Sequence, residues 1–440
     1  MLQYFSSIVN RRVCFAVLCS ITGGCATYSE SFRPLEKEII AQRPGKALKI
    51  LEKSQPSGND RLLYFLDKAM FLRMMGKLKE SNQSLEEAKK YIKKFSPTSI
   101  TEETAAFFVN DSTRAFIGVP FEQVLVHFYA ALNYLEMAEL DSARVEAQQV
   151  DIKLKTLSQS DQNPILIADP FARYLTGIIY EDLGEWSNAL IAYRKAYQAY
   201  KAHQKRYSVS IPRYLKHDLI RLTDYEGQHD ERDKYIKEFK IKKWRKQQTL
   251  KNKGEVVFIM NNGLAPIKRQ RTVAHAAIKG QLVRVSLPFY QKRRNGFSNA
   301  RISVAKNSAI STEVKNINAI AEKTLANFMP GITARAIARA VAKHNVASEV
   351  GDRHALAGLA MMVTNYATEV ADTRSWLTLP GELHLARLPL KSGKYDINLE
   401  LRGAGNNILH TYQFKDVQVK RGAKTYLTYH WVSPRALRSR

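Results

Sequence analysis

The side chains best suited to chemistry by type and spacing are basic, and the chemistry they suit is capture of an anion. Arg335, Arg339 and Lys343 recur at i, i+4 and i+8, so on a helix they stack along one side, and no acid interrupts them between Glu322 and Glu349. An ordinary solvated helix face fits the same pattern, and both readings stay open. Asp372 to Trp376 sets an acid, a base and a Trp together; Trp376 is a candidate partner anchor if exposed and a seal for a β-rich core if buried. The ten histidines are dispersed, the closest two being His344 and His354. His-Glu-x-x-His, the Walker A loop and Gly-x-Ser-x-Gly are all missing. We therefore expect no catalytic centre, no metal and no cofactor.

The thiols are Cys14, Cys19 and Cys25, all within the first 25 residues. Structural disulfides and thiolate metal sites are thereby excluded from the rest of the chain. Arg11-Arg12 precede an apolar run from Val13 to Ile21, which at nine residues is far short of the ~20 needed to span a bilayer. It reads as the core of an export signal. Ile21-Thr22-Gly23-Gly24-Cys25 resembles the bacterial lipobox, in which small residues before a Cys allow cleavage after the sulfur is acylated. Thr22 departs from the Leu most often found there, and a plain signal peptide cut near Ala26 is the alternative. The resemblance implies a signal peptide over 1–24 and lipid on Cys25. Ala26 in place of Asp implies, by enterobacterial sorting, transfer to the outer membrane.

Lys and Arg total 68 against 41 Asp and Glu, giving a net charge of +27. Loss of Arg11 and Arg12 with the signal leaves +25, spread along the chain. Such an excess favours anionic surfaces, and export argues against nucleic acid. The densest basic stretch, Lys234 to Lys253, holds nine Lys or Arg against Glu238 alone; it reads as a solvated helix end and linker or as a cationic face.

The elements that position these residues fall into two blocks. Residues 34–250 carry helical periodicity, and a helical repeat domain is expected over 25–250. Gly177, Tyr180, Gly184, Ala189, Tyr193 and Ala196 follow the spacing of the small and aromatic positions of a tetratricopeptide repeat, where small residues let two antiparallel helices approach. The same spacing recurs at Ala131, Tyr134, Ala138, Ala143, Ala147 and Val150, and at Ala69, Leu72, Gly76, Ser81, Leu85 and Ala88. An irregular tetratricopeptide-like solenoid is expected, with Gly184 at a close approach of two helices. The loop Asn110 to Glu122 either caps the solenoid or meets a partner.

Over 254–432 the chain turns to seven short β-rich runs with tight turns, suggesting a β-sandwich-like domain. A helical insertion at about 316–371 reads as two helices packed as a hairpin against the sandwich, and 433–440 is a basic tail. The fold class expected is multidomain, α then α+β.

Val109-Asn110-Asp111-Ser112, Pro120-Phe121-Glu122, Ala143-Arg144-Val145-Glu146-Ala147, Asn262-Gly263-Leu264-Ala265-Pro266 and Ala371 to Trp376 together resemble a family of bacterial tetratricopeptide-like lipoproteins of unassigned activity. The likeness covers most of the chain after the signal and implies no activity for any residue. The function expected is a membrane-anchored, non-catalytic scaffold whose repeats bind envelope proteins, on the periplasmic face of the outer membrane. The alternative is a binder of peptidoglycan or lipopolysaccharide through basic surfaces; a wall hydrolase would need a catalytic pair that the chain does not supply.

Overall fold

The computed structural model describes residues 28–54, 58–96, 114–160, 169–207, 209–250, 252–278, 281–293, 296–353 and 370–434, with the backbone alone at 159–160, 274–278, 281–284 and 343–353. The signal segment, Cys25, Val109 to Ser112 and most of the basic tail lie outside the described residues.

Helices α1 (Arg33–Ile40) and α2 (Pro44–Lys53), α3 (Arg61–Met74) and α4 (Leu78–Phe95), α5 (Pro120–Glu136) and α6 (Leu140–Ser160), α7 (Pro170–Asp182) and α8 (Trp186–Tyr207), and α9 (Arg213–Tyr225) and α10 (His229–Phe239) pack as successive pairs. The turns explain the pairing. Gln42, Gly76, Ala138, Gly184 and Gly227 all take left-handed backbone, with φ of 56°, 73°, 61°, 76° and 71°. The next N–H then reaches the carbonyl five residues back, as Lys77 to Leu72 (2.9 Å), Glu139 to Tyr134 (2.9 Å) and Glu185 to Tyr180 (2.8 Å). This Schellman closure satisfies carbonyls that the helix end would otherwise strand.

Gly184 therefore departs from its expected role. It sits in a turn, where an added Cβ would come no nearer than 4.0 Å to Trp186. The close approach is at Gly177, where a Cβ would lie 2.3 Å from the Tyr193 ring. Ala189, Tyr193 and Ala196 are fully buried on the facing helix, and Tyr180 is half-buried. Ala138 holds the equivalent turn position with a side chain that disfavours it. Ala138→Gly should raise stability by about 1 kcal/mol by removing left-handed strain, read as a higher urea midpoint. An unchanged or lower midpoint would count against strain at this turn.

The β-rich part forms two four-stranded sheets. One has the order β10 (Lys424–Trp431), β1 (Gly254–Asn262), β7 (Glu382–Leu390), β6 (Thr312–Asn316); the other runs β5 (Asn307–Ile310), β4 (Phe297–Val304), β8 (Gly393–Gly403), β9 (Ile408–Val419). Strand β10 joins β1 in parallel, and the remaining pairings are antiparallel. Val256, Phe258 and Met260 of β1 meet Ile302, Leu399 and Leu401 across the sandwich. The opposite face of the same strand, Val257 and Ile259, joins Leu383 and Leu385 in a core shared with Phe128, Tyr129 and Phe171 of the helices. Strand β1 reads apolar at consecutive positions because both its faces are covered. Helical and β-rich parts thus share one core.

The helical insertion packs mainly on an arm beside the sandwich. Its described part is one helix, α11 (Ile317–Arg353), which packs Ala336 and Ala340 on Val285 and Leu287. Those belong to a two-stranded arm of β2 (Ile267–Ile278) and β3 (Gln281–Gln291), outside both sandwich sheets. The second expected helix, from Leu356 to Tyr366, lies outside the described residues.

A buried ionic network fastens helices to sheet. Arg387, in the middle of β7, donates to Asp218 on α9 at 2.5 Å and to Glu255 on β1 at 2.6 Å. Arg221 donates to Glu181 (2.6 Å) and Asp218 (2.8 Å), Lys424 reaches Glu181 at 2.7 Å, and the Tyr174 hydroxyl donates to Asp218 at 2.7 Å. Burial alone would raise the pKa of Glu181, but the charges of Arg221, Lys424 and Arg387 hold it well below the usual carboxylate range.

Candidate anion-binding cleft

Four stretches that stand apart in the sequence meet around one cavity of about 810 Å³. Helix α11 contributes Leu325, Phe328, Ile332, Arg335 and Arg339, whose steps of three and four place them on one helical face. The arm supplies Lys268 and Tyr290, the loop before α5 supplies Arg114 and Phe116, and the segment before Trp376 supplies Asp372 and Arg374. The wall therefore carries five cations and one carboxylate.

That carboxylate is committed. Arg374 donates from Nε to one oxygen of Asp372 at 2.9 Å and from Nη2 to the other at 2.8 Å. Burial would raise the pKa of Asp372, yet the Arg374 hydrogen bonds and the charges of Lys268 and Arg374 hold it below its ordinary value. Arg374 also donates to the Arg114 carbonyl at 2.7 Å and lies over the Phe116 ring at 5.4 Å, which fixes the loop against the segment. Cations beside aromatic and aliphatic walls suit an anion that also carries apolar groups.

The basic stripe is thus not a uniform solvent-facing row. Arg335 is exposed, whereas Arg339 is 5% exposed and turns into the cleft wall. The side chain of Lys343 lies outside the described residues. Trp376 is no surface anchor: it is 1% exposed, set edge-on to Tyr129, with its indole N–H donated to Thr378 at 2.9 Å. It seals the joint between helices and sheet, the alternative that its amphipathic ring allowed.

Sequence reasoning passed over the two carboxyls beneath this joint. Glu122 accepts the Trp376 backbone N–H (2.8 Å) and the Val119 N–H (3.0 Å). Asp67 accepts from Thr378 and Tyr28, each at 2.7 Å. Burial dominates both, raising Glu122 to about 7 and Asp67 to about 6. The signal was present in Asp67, one acid within the apolar stretch of α3.

No family model matches this chain, and neither does any curated protein. Among solved structures it is similar to MamA, in one case at 13% identity and a TM-score of 0.30 over 46% of this chain and 90% of that one. The MSR-1 form of MamA gives 14% identity and 0.28 over 47% and 91%. A Podospora anserina protein described by its nearly identical TPR-like repeats gives 16% and 0.30 over 48% and 91%. The reading of the cleft rests on its own residues.

Among the described residues no group of three or more His, Cys, Asp or Glu is arranged to hold a metal ion, and no helix is long and apolar enough to cross a membrane.

A pH dependence follows from Glu122. Its folded pKa lies above its unfolded value, so its protonated form contributes stability that is complete below about 4.5 and lost as pH rises through about 7. His430 works the other way, since burial lowers it to about 4 and its contribution grows as pH rises. Comparison with a variant isolates the carboxyl. Between pH 4.5 and 8 the parent protein should lose about 3 kcal/mol relative to Glu122→Gln. Parallel stability–pH curves for the two proteins would contradict the assignment.

Proposed function

We propose that this chain is a non-catalytic interaction scaffold, anchored on an envelope membrane through lipid at Cys25, that seats an acidic, partly apolar segment of a partner protein in the cleft beside α11. The observation that carries the reading is the cleft wall, where five cations face one spent carboxylate among Phe116, Tyr290 and Phe328. The cavity is of the size that encloses a small ligand or a short run of side chains. Paired helices add further surface for protein partners, and the outer membrane is the proposed location.

The test is titration of a fluorescent Glu/Tyr copolymer peptide into the full chain in detergent, beside lipopolysaccharide and peptidoglycan fragments. The peptide should bind at low salt, weaken as salt screens the charges, and bind about tenfold more weakly to Arg335→Glu. Binding of polymer but not peptide, sensitive to the same substitution, would turn the reading to an envelope-polymer binder. Peptide binding that ignores the substitution would remove the cleft from the account.

A further inference from the structure

A second cavity, of about 560 Å³, opens where α9, the segment after α10 and the ends of β1 and β7 converge. It shares no residue with the cleft. Its two carboxylates are committed. Asp218 already accepts from Tyr174, Arg221 and Arg387, and Glu255 from Arg387.

Its donors are in surplus. The indole N–H of Trp244 and the Nε of Arg387 are buried without a hydrogen-bond partner among the described residues. The Arg387 side chain is itself more than nine-tenths buried. Around them stand Arg213, Lys243 and Arg245, all three exposed. His217 lies on the same wall, and burial, with the charges of Arg213 and Arg245 against that of Asp218, keeps its imidazole toward the neutral form. A wall that offers spare N–H groups and positive charge, and no uncommitted carboxylate, fits a ligand made of acceptor oxygens.

We infer that this cavity binds a phosphate-bearing group, with Lys243 and Arg245 supplying charge and Trp244 and Arg387 supplying directed N–H donors. A phosphate monoester carries the charge and the oxygens that such a set requires. The basic stretch from Lys234 to Lys253 thereby acquires a role beyond solvation, through the part of it that turns into this cavity. The inference stands apart from the proposed scaffold function, since it uses none of the cleft residues.

The experiment uses the full chain in detergent and three probes: inorganic phosphate, glycerol phosphate, and vesicles of phosphatidylglycerol against phosphatidylcholine. Tryptophan emission should shift on saturation with a phosphate probe, and Trp244→Phe should abolish that shift. Lys243→Gln with Arg245→Gln should weaken binding by about tenfold, while Arg335→Glu should leave it unchanged. A response to the free probes identifies a soluble ligand, and a response to phosphatidylglycerol vesicles alone identifies a lipid headgroup; either supports the site. Absence of binding by every probe, or binding that survives the double substitution, would overturn it. Weakening by Arg335→Glu alone would assign the anion to the cleft and equally overturn the second site.

Discussion

Arg387→Met should cost about 3–5 kcal/mol of stability, the largest loss we expect from one substitution. The side chain is 3% exposed and answers Asp218, Glu255 and Glu181 together. Its removal leaves buried carboxylates short of a cation, and the penalty comes mainly from those stranded charges. Lys394, whose pair with Asp416 is mostly exposed, provides the contrast, and Lys394→Met should change stability little. Equilibrium urea unfolding of the full chain measures both. Equal small effects would mean that the network does not bind helices to sheet.

Gly177→Val should cost about 3 kcal/mol, at the upper end of overpacking penalties. The Tyr193 ring that blocks the new side chain is fully buried, and its hydroxyl donates to Glu181 at 2.7 Å, so it has nowhere to turn. Gly184→Ala should cost only about 1 kcal/mol, because the turn is open and only left-handed strain is added. Thermal or urea unfolding should rank Gly177 well above Gly184. The reverse order would restore Gly184 as the close-packing position. Since Tyr193 touches Glu181, the Gly177 and Arg387 substitutions share a network and should not add simply.

The contrast between these two glycines shows what sequence could and could not give. Spacing of small and aromatic residues located helix pairs correctly, because antiparallel packing and the turn both demand small residues at fixed offsets. It could not say which small residue serves which demand, since Gly177 and Gly184 look alike until φ is known. Part of the cleft was visible singly, as a basic stripe, an apolar loop and an acid–base pair, whereas Lys268 and Tyr290 of the arm carried no such signal. Their meeting was not visible, because it depends on α11 lying on the β2–β3 arm. The ionic network was harder still, its members running from Glu181 to Lys424. Its trace was a lone Arg387 within the apolar strand Glu382–Leu390, which only a second buried layer explains.

Hydrogen–deuterium exchange of the full chain, with and without the Glu/Tyr copolymer, tests the central claim most directly. We expect slower exchange at residues 114–119, 286–290 and 324–339, with little change along the outer helices α8 and α10. Protection confined to those outer helices, or none at saturating peptide, would contradict an acidic partner seated in the cleft.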